Sequence, residues 1–212
     1  NMTNSINFVF QPIFNLEDMS IYGYEALMRS PNDNIINIIN NLKEYSDFYE
    51  LEKTTWFKGL EEFKNRGYDG KIFINSFPHI CLRKKDLIKI TDLYYDLLSR
   101  LVIELIETNE IDNEAYYKKK GFAISNNCSF ALDDFNTGFN NLKTYIYTQP
   151  EYLKIDKNII NNKDIKMLEG IIKMTKNKSI LIAEGIETKE QLKLVKDLGI
   201  TYGQGYYLGM PK

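Results

Sequence analysis

Polar side chains stand at the ends of short apolar runs in this sequence. In the run from Phe130 to Asp134, three apolar residues are followed by two adjacent aspartates, and similar runs stop at Asn75, Glu104, Lys154 and Glu184. Buried strands of a parallel α/β protein are continuous apolar runs, and ligands bind beyond their carboxyl ends. We therefore expect these polar side chains to point at one common site.

The carboxylates of this predicted site favour a divalent metal centre. Like charges in one cavity raise each other's pKa values, and cations relieve that repulsion. Oxygen ligands suit Mg²⁺ or Mn²⁺ better than copper or a Cys/His zinc site. An aspartate pair can bridge two ions about 3.5 to 4 Å apart, the arrangement used in phosphoryl transfer, so we predict phosphoester hydrolysis by an activated water. The carboxylates expected in the cavity are Glu25, Glu104, Asp133, Asp134 and Glu184.

The elements that must position these residues alternate between strand and helix. The strand ends recur at intervals of roughly 20 to 30 residues, which is typical of a (β/α) barrel. Two β-rich runs, 6–14 and 20–27, come first and predict a hairpin. A doubly wound open sheet is the alternative, but its Gly-rich first turn is absent. The other predicted strands are 71–75, 101–104, 130–133, 152–155, 180–183 and 201–207, and the predicted helices are 35–45, 51–65, 86–100, 112–126, 142–148, 161–176 and 189–198.

Length and charge indicate an ordinary globular domain. We expect residues 1–212 to form a single domain, with residues 1–5 disordered or left by cloning. The 27 basic and 29 acidic side chains create no field that favours nucleic acid or an anionic membrane. No apolar run approaches the roughly 18 residues of a membrane span, and the N-terminus lacks a signal pattern. A cytoplasmic location is therefore expected for this segment.

Several other features fit ordinary structure better than a site. The cysteines have no zinc spacing, and the basic runs lack interleaved aromatic residues. His79 has no candidate partner among the motifs. We interpret Cys81 and Cys128 as reduced packing residues, His79 as structural, Lys84, Lys85 and Lys118–Lys120 as solvated helix faces, Asp156 and Lys157 as a surface ion pair, and Tyr206 and Tyr207 as barrel packing.

The segment Tyr24–Arg29, which reads Tyr-Glu-Ala-Leu-Met-Arg, resembles the signature of the EAL domain, the cyclic di-GMP phosphodiesterase family. The resemblance extends from about Phe10 to Pro211. A Glu-Ala-Leu triplet alone has little specificity, whereas the ordered set of motifs is highly specific. The other motifs, in the family's order, are Ile74–Pro78, Glu104–Glu107, Asp133–Gly138, Lys154–Asp156, Ala183–Thr188 and Gln204–Tyr207.

The resemblance implies a TIM-type (β/α)8-like barrel with an atypical first strand, which opens cyclic di-GMP to linear pGpG. It also implies two Mg²⁺ or Mn²⁺ ions, with Ca²⁺ inhibitory. By motif position, Glu25, Asn75, Glu104 and Asp133 would hold one ion, and Asp133, Asp134 and Glu184 or Glu187 would bear on the second, with Asp133 bridging. Lys154 would orient the water, Gln204 would support the water and substrate, Arg29 and Gln11 would contact the substrate, and Glu107, Thr137 and Gly138 would support the loop after Asp134.

The resemblance also implies partners. Besides binding of cyclic di-GMP, we expect the domain to form a homodimer. We also expect sensory or GGDEF-like domains on a longer chain. If the full-length protein is membrane-bound, a segment absent here would anchor it. We expect no nucleic acid polymer and no membrane contact from this segment. The alternative function is a catalytically weak or inactive EAL-like domain that acts as a cyclic di-GMP receptor or interaction module. The intact ligand set argues against it, and a purely structural role gives no reason for carboxylates at successive strand ends.

Departures from the family pattern cluster near the predicted site. Asn136 replaces the first glycine of the family's Asp-Asp-Phe-Gly-Thr-Gly, and Ile106 stands where threonine is common. Ser76 and Phe77 replace the usual Leu-Ser and are expected to alter the pocket wall. Asparagine tolerates positive φ better than other non-glycine residues, so we expect the loop to survive. The segment between Arg29 and Asn75 is shorter than usual, and the chain ends before a final barrel helix, which predicts a trimmed domain.

Overall fold

The computed structural model of the protein describes residues 2–162 and 164–212. Its eight strands close into a barrel in chain order. The first strand is antiparallel to both of its neighbours, whereas all other neighbouring strands are parallel. The predicted TIM-type barrel with an atypical first strand is therefore confirmed, and the doubly wound open sheet is excluded.

Strands and helices follow each other as the sequence predicts from the third strand onward. Within the described residues, no helix is both long and apolar enough to cross a membrane. The strands are β1 (Asn7–Asn15), β2 (Ile21–Arg29), β3 (Lys71–Ser76), β4 (Leu101–Leu105), β5 (Ser129–Phe135), β6 (Tyr152–Ile155), β7 (Ile180–Ala183) and β8 (Tyr202–Gly203). The helices are α1 (Ile35–Asn41), α2 (Tyr45–Thr54), α3 (Leu60–Arg66), α4 (Lys84–Tyr94), α5 (Asn113–Asn126), α6 (Leu142–Thr148), α7 (Lys157–Asn161), α8 (Ile165–Thr175) and α9 (Lys189–Asp197).

A polar turn sets the register of the β1–β2 hairpin. The backbone N–H and the hydroxyl of Ser20 both donate to Asp18 Oδ1, at 2.9 and 2.6 Å. Met19 between them has a φ of 60°. The resulting register places Gln11 directly opposite Glu25. The hairpin therefore fixes two polar side chains side by side before the parallel part of the barrel begins.

The barrel interior below the predicted site is packed with apolar and aromatic side chains. Because residues alternate along a strand, each strand sends side chains both into the barrel and out toward the helices. Phe73 lies at the top of the interior layer, where its ring centroid is 5.4 Å from Lys154 Nζ. The site therefore has an apolar floor. The buried interior layer consists of Ile13, Phe73, Val102, Ala131, Tyr152 and Ile182.

Several predicted element bounds are wrong, because local caps interrupt a continuous helical spacing. The two predicted helices 35–45 and 51–65 have shifted bounds, since α1 ends at Asn41, α2 begins at Tyr45 and a π turn separates α2 from α3. The predicted helix 161–176 begins only at Ile165, where Asp164 caps α8 by accepting from Met167 N at 3.0 Å, and the separate helix α7 precedes it. The predicted helix 86–100 ends at Tyr94, and the predicted strand 201–207 is only β8.

The start of the chain is ordered, which corrects the expected disorder. Residues Met2–Ser5 form a 3-10 turn. Thr3 is buried, and its carbonyl accepts a hydrogen bond from Lys58 Nζ at 2.8 Å. Asn1 lies outside the described residues. This short turn therefore packs against the helix layer instead of extending into solvent.

Three of the interpretations as ordinary structure are wrong. Lys119 is buried, whereas Lys118 is exposed and Lys120 is half-buried. Tyr206 and Tyr207 are exposed by 60% and 48%, so they do not pack the barrel. Asp156 caps α7 instead of pairing with Lys157, and no ion pair joins these two in the described part of the chain.

Cys81, Cys128 and His79 pack as expected, and Lys84, Lys85 and Lys118 are exposed as expected. Cys81 and Cys128 are half-buried free thiols. The His79 ring packs edge-on against Phe48 and Phe77, with centroid distances of 4.7 and 5.7 Å. Burial lowers the pKa of His79, which favours the neutral ring in this apolar contact.

Candidate active site

The carboxyl ends of the parallel strands bring the predicted polar side chains together at one end of the barrel. Asn75 and Glu104 are direct register partners on neighbouring strands. Hydrogen bonds and ion pairs connect residues that are more than 100 positions apart in sequence, such as Glu25 and Lys154, with a separation of 129. The converging residues are Glu25 on β2, Asn75 on β3, Glu104 on β4, Asp133 on β5, Lys154 on β6, Glu184 after β7 and Gln204 after β8.

Lys154 is the central cation of the site and is fully buried. Its Nζ lies 2.9 Å from Glu25 Oε1, 2.9 Å from Glu104 Oε1 and 3.9 Å from Glu184 Oε1. Burial alone would lower the pKa of Lys154, but the surrounding carboxylates, Glu104 first, raise it well above its ordinary value. The side chain is therefore a permanent ammonium group that offsets part of the acidic charge.

Glu25 accepts hydrogen bonds on both of its carboxylate oxygens. Its Oε1 accepts from Lys154 Nζ at 2.9 Å and from Gln204 Nε2 at 2.8 Å, and its Oε2 accepts from Asn75 Nδ2 at 3.1 Å. Burial raises the pKa of Glu25, but the charge of Lys154 and these three hydrogen bonds together lower it below its ordinary value. Glu25 is therefore ionised.

The other buried acids behave in the opposite way. Glu104 is as close to Lys154 as Glu25 is, yet neither of its oxygens accepts a hydrogen bond from the described residues, and its carboxyl group pairs instead with that of Asp133. Burial, and then the charge of Glu25, raise the pKa of Glu104 well above its ordinary value. Burial and the neighbouring Asp134 raise the pKa of Asp133 to about 7, and burial and Asp133 raise that of Glu184. These raised pKa values make Glu104, Asp133 and Glu184 harder to ionise than Glu25.

The unpaired oxygens fit hard divalent ions. Among the described residues, Asn75 Oδ1, both Glu104 oxygens, Asp133 Oδ1 and Glu184 Oε2 are buried without a hydrogen bond. A buried polar atom without a partner is costly, and a cation that prefers oxygen removes that cost. Two sets of carboxylate oxygens each lie within 4.8 Å of one another, namely Glu25, Glu104 and Glu184 in one set and Glu107, Asp133 and Asp134 in the other.

These two sets differ in detail from the ligand sets implied by the family motifs. Glu184 lies with Glu25 and Glu104 in the first set. It also contacts Asp134, and a hydrogen bond with Asp134 contributes to the raised pKa of Glu184. Glu107, which sequence reasoning assigned only to loop support, lies in the second set. The position of Glu107, three residues after Glu104 in the sequence, is the feature that could have indicated a role as a metal ligand. Glu187 is exposed and lines a neighbouring pocket outside both sets, so its role as a ligand stays a prediction.

A β-bulge explains how two adjacent aspartates reach the same place. In a regular strand, neighbouring side chains point to opposite faces. The pairing of β5 with β6 shifts register between Leu132 and Phe135, and Asp134 has a φ of 42°. The extra residue re-aims the strand end, as bulges do beside active sites. Asp133 and Asp134 can therefore act as a pair.

The loop after β5 has the strained backbone that the sequence predicts. Asn136 has a φ of 73°, and its N–H donates to Asn140 O at 2.7 Å. Gly138 has a φ of 52°, and a Cβ there would lie only 2.4 Å from Glu107 O. The same carbonyl accepts from Phe139 N at 2.9 Å. Glu107 therefore supports this loop through its backbone, which leaves its carboxylate free to face the aspartates.

Asn140 is a loop-fixing residue that sequence reasoning missed. It is buried, and its Nδ2 donates to Leu105 O at 2.8 Å and to Asp133 O at 2.6 Å. It therefore ties the loop to the ends of two strands. Thr137, which was predicted to support the loop, donates from Oγ1 to Asp156 Oδ2 at 2.9 Å. In a chain rich in asparagine, no spacing distinguishes Asn140 from its neighbours.

The site opens into a cavity of about 880 Å³ that is large enough for a small organic ligand. Arg29 lies exposed at its rim, where Nη1 donates to the carbonyl of Met28 at 3.0 Å. The guanidinium is thus placed to contact an anionic ligand. The apolar wall of the cavity contains Ile35, Ile36, Ile39, Phe77 and Ile106.

A second pocket of about 430 Å³ adjoins the acidic centre on the β7–β8 side. Gln11 and Gln204 line it and are bonded to each other, with Gln204 Nε2 3.2 Å from Gln11 Oε1. Gln11 Nε2 also donates to Gly209 O at 3.3 Å. Both amides are therefore held in place by the protein. Tyr206 lines both this pocket and the larger cavity, which accounts for its exposed ring.

The closed barrel with an antiparallel first strand and an oxygen-lined centre defines a TIM-like barrel protein with a site suited to divalent metal. The EAL domain model matches residues 2–211 of the chain. The protein belongs to the EAL domain family.

Curated relatives carry the same domain within longer chains. The chain is 31% identical over 214 residues to the cyclic di-GMP phosphodiesterase TpdA of Vibrio parahaemolyticus, a match that covers 93% of this chain and 35% of TpdA. It is 30% identical to the cyclic di-GMP phosphodiesterase PdeA of Borreliella burgdorferi, covering 86% of this chain and 29% of that protein. The chain thus spans about a third of the length of these relatives.

Solved structures support the fold. A standalone EAL protein from Vibrio cholerae in a c-di-GMP bound form superposes with a TM-score of 0.85 at 24% identity, covering 97% of this chain and 92% of that one. The Bacillus subtilis YkuI protein, solved with c-di-GMP and calcium, superposes with a TM-score of 0.82 at 23% identity, covering 99% and 56%.

Proposed function

We propose that this domain hydrolyses cyclic di-GMP to linear pGpG with two bound Mg²⁺ or Mn²⁺ ions. The observation that carries this proposal is the buried set of unpaired carboxylate and amide oxygens around Lys154, at the strand ends of an EAL barrel. The names of the relatives and the c-di-GMP in the similar structures support the choice of substrate.

The proposed step opens one phosphodiester of the ring. The water oxygen forms a bond to phosphorus, the bond from that phosphorus to the ribose 3′ oxygen breaks, and the 3′ oxygen receives a proton. Two divalent ions, when bound, make the water a better nucleophile and stabilise both the attacking and the leaving oxygen. The first ion would be held by Glu25, Asn75, Glu104 and Asp133, and the second by Asp133 and Asp134 with Glu184, Glu187 or Glu107.

The protein's own residues supply orientation and charge. Lys154 is held by Glu25 and Glu104, so its ammonium group is positioned to orient the water and to offset developing negative charge. Gln204 is fixed by Glu25 and Gln11, so it can support both the water and the substrate. Arg29 at the cavity rim would contact a phosphate or a guanine of the substrate.

The test is to incubate the protein with cyclic di-GMP and Mg²⁺ or Mn²⁺ and to follow pGpG by chromatography. We expect pGpG to form with either ion and not with chelator alone. Lys154→Met should bind substrate but form no product, which controls for contaminating enzyme. Failure of the wild-type protein to form pGpG with either ion would refute the proposal.

A receptor that binds cyclic di-GMP without cleaving it is the second candidate. The strained Asn136 in the place of a family glycine favours it, because this loop directly follows the strand end that carries Asp134. Calorimetry together with chromatography distinguishes the two candidates, since a receptor would bind cyclic di-GMP and form no pGpG.

We also propose that Ca²⁺ occupies the site without activating it, because it prefers longer and looser coordination than Mg²⁺. Homodimer formation, attached sensory domains and a cytoplasmic location stay proposals.

A further inference from the structure

A buried ion pair lies outside the site, where α2 and α5 meet the end of β3. Glu52 and Lys119 are only 1% and 2% exposed. Lys119 Nζ lies 3.2 Å from Glu52 Oε2. Neither residue lines the two cavities of the site. The pair is therefore not positioned to touch a ligand.

Most hydrogen bonds of the pair are made to Ser76 and Phe77 at the end of β3. Lys119 Nζ donates to Glu52, to Ser76 Oγ at 2.6 Å and to Phe77 O at 2.8 Å, which accounts for its three protons. Glu52 also accepts from Ser76 Oγ at 2.6 Å, Phe77 N at 2.9 Å and Trp56 Nε1 at 3.2 Å. The pair thus holds the Ser76 hydroxyl and both backbone polar groups of Phe77.

This clamp lies directly behind a predicted metal ligand. Ser76 faces the helices, so Asn75, one residue earlier on the strand, faces the barrel interior. Asn75 Nδ2 donates to Glu25 Oε2 at 3.1 Å, which leaves Oδ1 unpaired at the site. On the other side of the clamp, the Phe77 ring lines the larger cavity. Fixing Ser76 and Phe77 therefore fixes both a ligand oxygen and a wall of the cavity.

Stability alone is a weak reason for such a pair. Taking two charges out of water is costly, and apolar replacements of buried ion pairs are often neutral or stabilising. We infer that Glu52 and Lys119 are positioning residues, which act through Ser76 and Phe77 to hold the Asn75 amide toward the first ion. Residues behind metal ligands typically change metal affinity by about 10- to 100-fold when removed. The inference rests on the proposed function for its consequence in catalysis, but not for its effect on metal binding.

The test measures Mn²⁺ affinity by calorimetry in Glu52→Gln/Lys119→Met. This double variant removes both charges, while the new amide can still accept from Phe77 N. We expect the affinity of the tighter Mn²⁺ site to fall by about tenfold or more. In an Asn75→Ala background the same double change should cause no further loss, because the effect passes through Asn75. Equal losses in both backgrounds would overturn the inference, as would unchanged affinity in the double variant.

Tyr49→Phe is the matched control on the same helix. The Tyr49 hydroxyl is buried, donates to Asp86 Oδ2 at 2.6 Å and accepts from Arg83 N at 2.8 Å, away from β3. This variant should lose stability and keep its Mn²⁺ affinity. An equal loss of affinity in Tyr49→Phe would show that general destabilisation is the cause, which contradicts positioning.

Two further measurements keep the outcome decisive. If the double variant does not fold, Ser76→Ala removes only the hydroxyl that joins the pair to the strand, and we expect it to weaken Mn²⁺ binding severalfold. Unchanged affinity in Ser76→Ala would then overturn the inference. Hydrolysis of cyclic di-GMP is measured in parallel. If wild type forms no pGpG, the proposed function fails, while the Mn²⁺ affinities still decide whether the pair positions Asn75.

Discussion

Lys154 Nζ donates to Glu25 Oε1 at 2.9 Å, and this bond separates the protonation states of the buried acids. Glu104 lies at the same distance from Nζ but receives no hydrogen bond, so its pKa rises while that of Glu25 falls. One ionised glutamate thus satisfies the lysine. Metal binding must displace protons from the remaining acids, which couples the site to pH.

Glu25→Ala should abolish hydrolysis and leave the fold intact. The substitution removes a predicted ligand and frees Lys154, Asn75 and Gln204 from their shared acceptor. Glu104 can still pair with Lys154, so unfolding in urea should change by no more than about 1–3 kcal/mol. Product formation and urea unfolding are the measurements, and exposed Glu17→Ala is the control. Turnover at the wild-type rate in Glu25→Ala would contradict the assignment of Glu25 as a metal ligand.

Asp133→Asn should weaken metal binding more than Asp134→Asn, because only Asp133 is proposed to bridge both ions. We expect Asp133→Asn to retain at most one Mn²⁺, with an affinity about tenfold or more below that of Asp134→Asn. Mn²⁺ calorimetry measures both stoichiometry and affinity. Exposed Asp197→Asn should match wild type. Two ions bound to Asp133→Asn would contradict the bridging role.

The metal-free protein should lose stability as pH rises from about 4 through 7. The pKa of Asp133 is about 7 in the folded protein, above its ordinary value of 3.8, and Glu104 and Glu184 shift in the same direction. A group whose pKa is higher in the folded protein than in the unfolded chain contributes its full stability at pH values below the unfolded pKa. That contribution is lost as pH rises through the folded pKa. The free energy of unfolding should fall by a few kcal/mol, on the order of one kcal/mol for each pKa unit.

Urea unfolding with chelator at pH 5, 6, 7 and 8 measures this slope. Mg²⁺ should stabilise the protein more at pH 8 than at pH 5, because it binds ionised acids. Asp133→Asn should flatten the slope between pH 5 and 7. A chelated wild-type protein that is equally stable at all four pH values would rule out the protonated acids.

Asn136→Gly should raise metal affinity or activity, and Asn136→Val should lower both. Asn136 has a φ of 73°, which glycine adopts freely, whereas β-branched side chains tolerate it poorly. Glycine should relieve about 1 kcal/mol of backbone strain. The metal dependence of hydrolysis is measured for wild type and both variants. Asn177→Gly, at an exposed position with a φ of 62°, controls for a change in stability alone. If all three proteins titrate alike, Asn136 is a neutral substitution.

Much of the barrel was predictable from local signals in the sequence. The segments 142–148, 152–155 and 180–183 have their predicted bounds, because each is delimited by nearby turn residues. Apolar runs that end in a polar residue also identified the strand ends that carry the site. The break between the first two helices was predicted after residue 45 but lies at residues 42–44, because periodic spacing does not fix where a helix ends.

Tertiary structure alone decided the pKa shifts of the buried acids and the β-bulge that re-aims the end of β5. Glu25 and Lys154 are 129 residues apart, and only barrel closure brings them into contact. The bulge in β5 depends on its pairing with β6, so alternation along the sequence could not predict it.

Lys119 shows the same limit most clearly. Its neighbours in sequence indicate a solvated basic run, and its partner Glu52 is 67 residues away. The sequence by itself determined which residue types stand at the strand ends and which family they match. Burial and long-range pairing determined their charges, because desolvation and Coulomb energy depend on distances that only the folded chain sets.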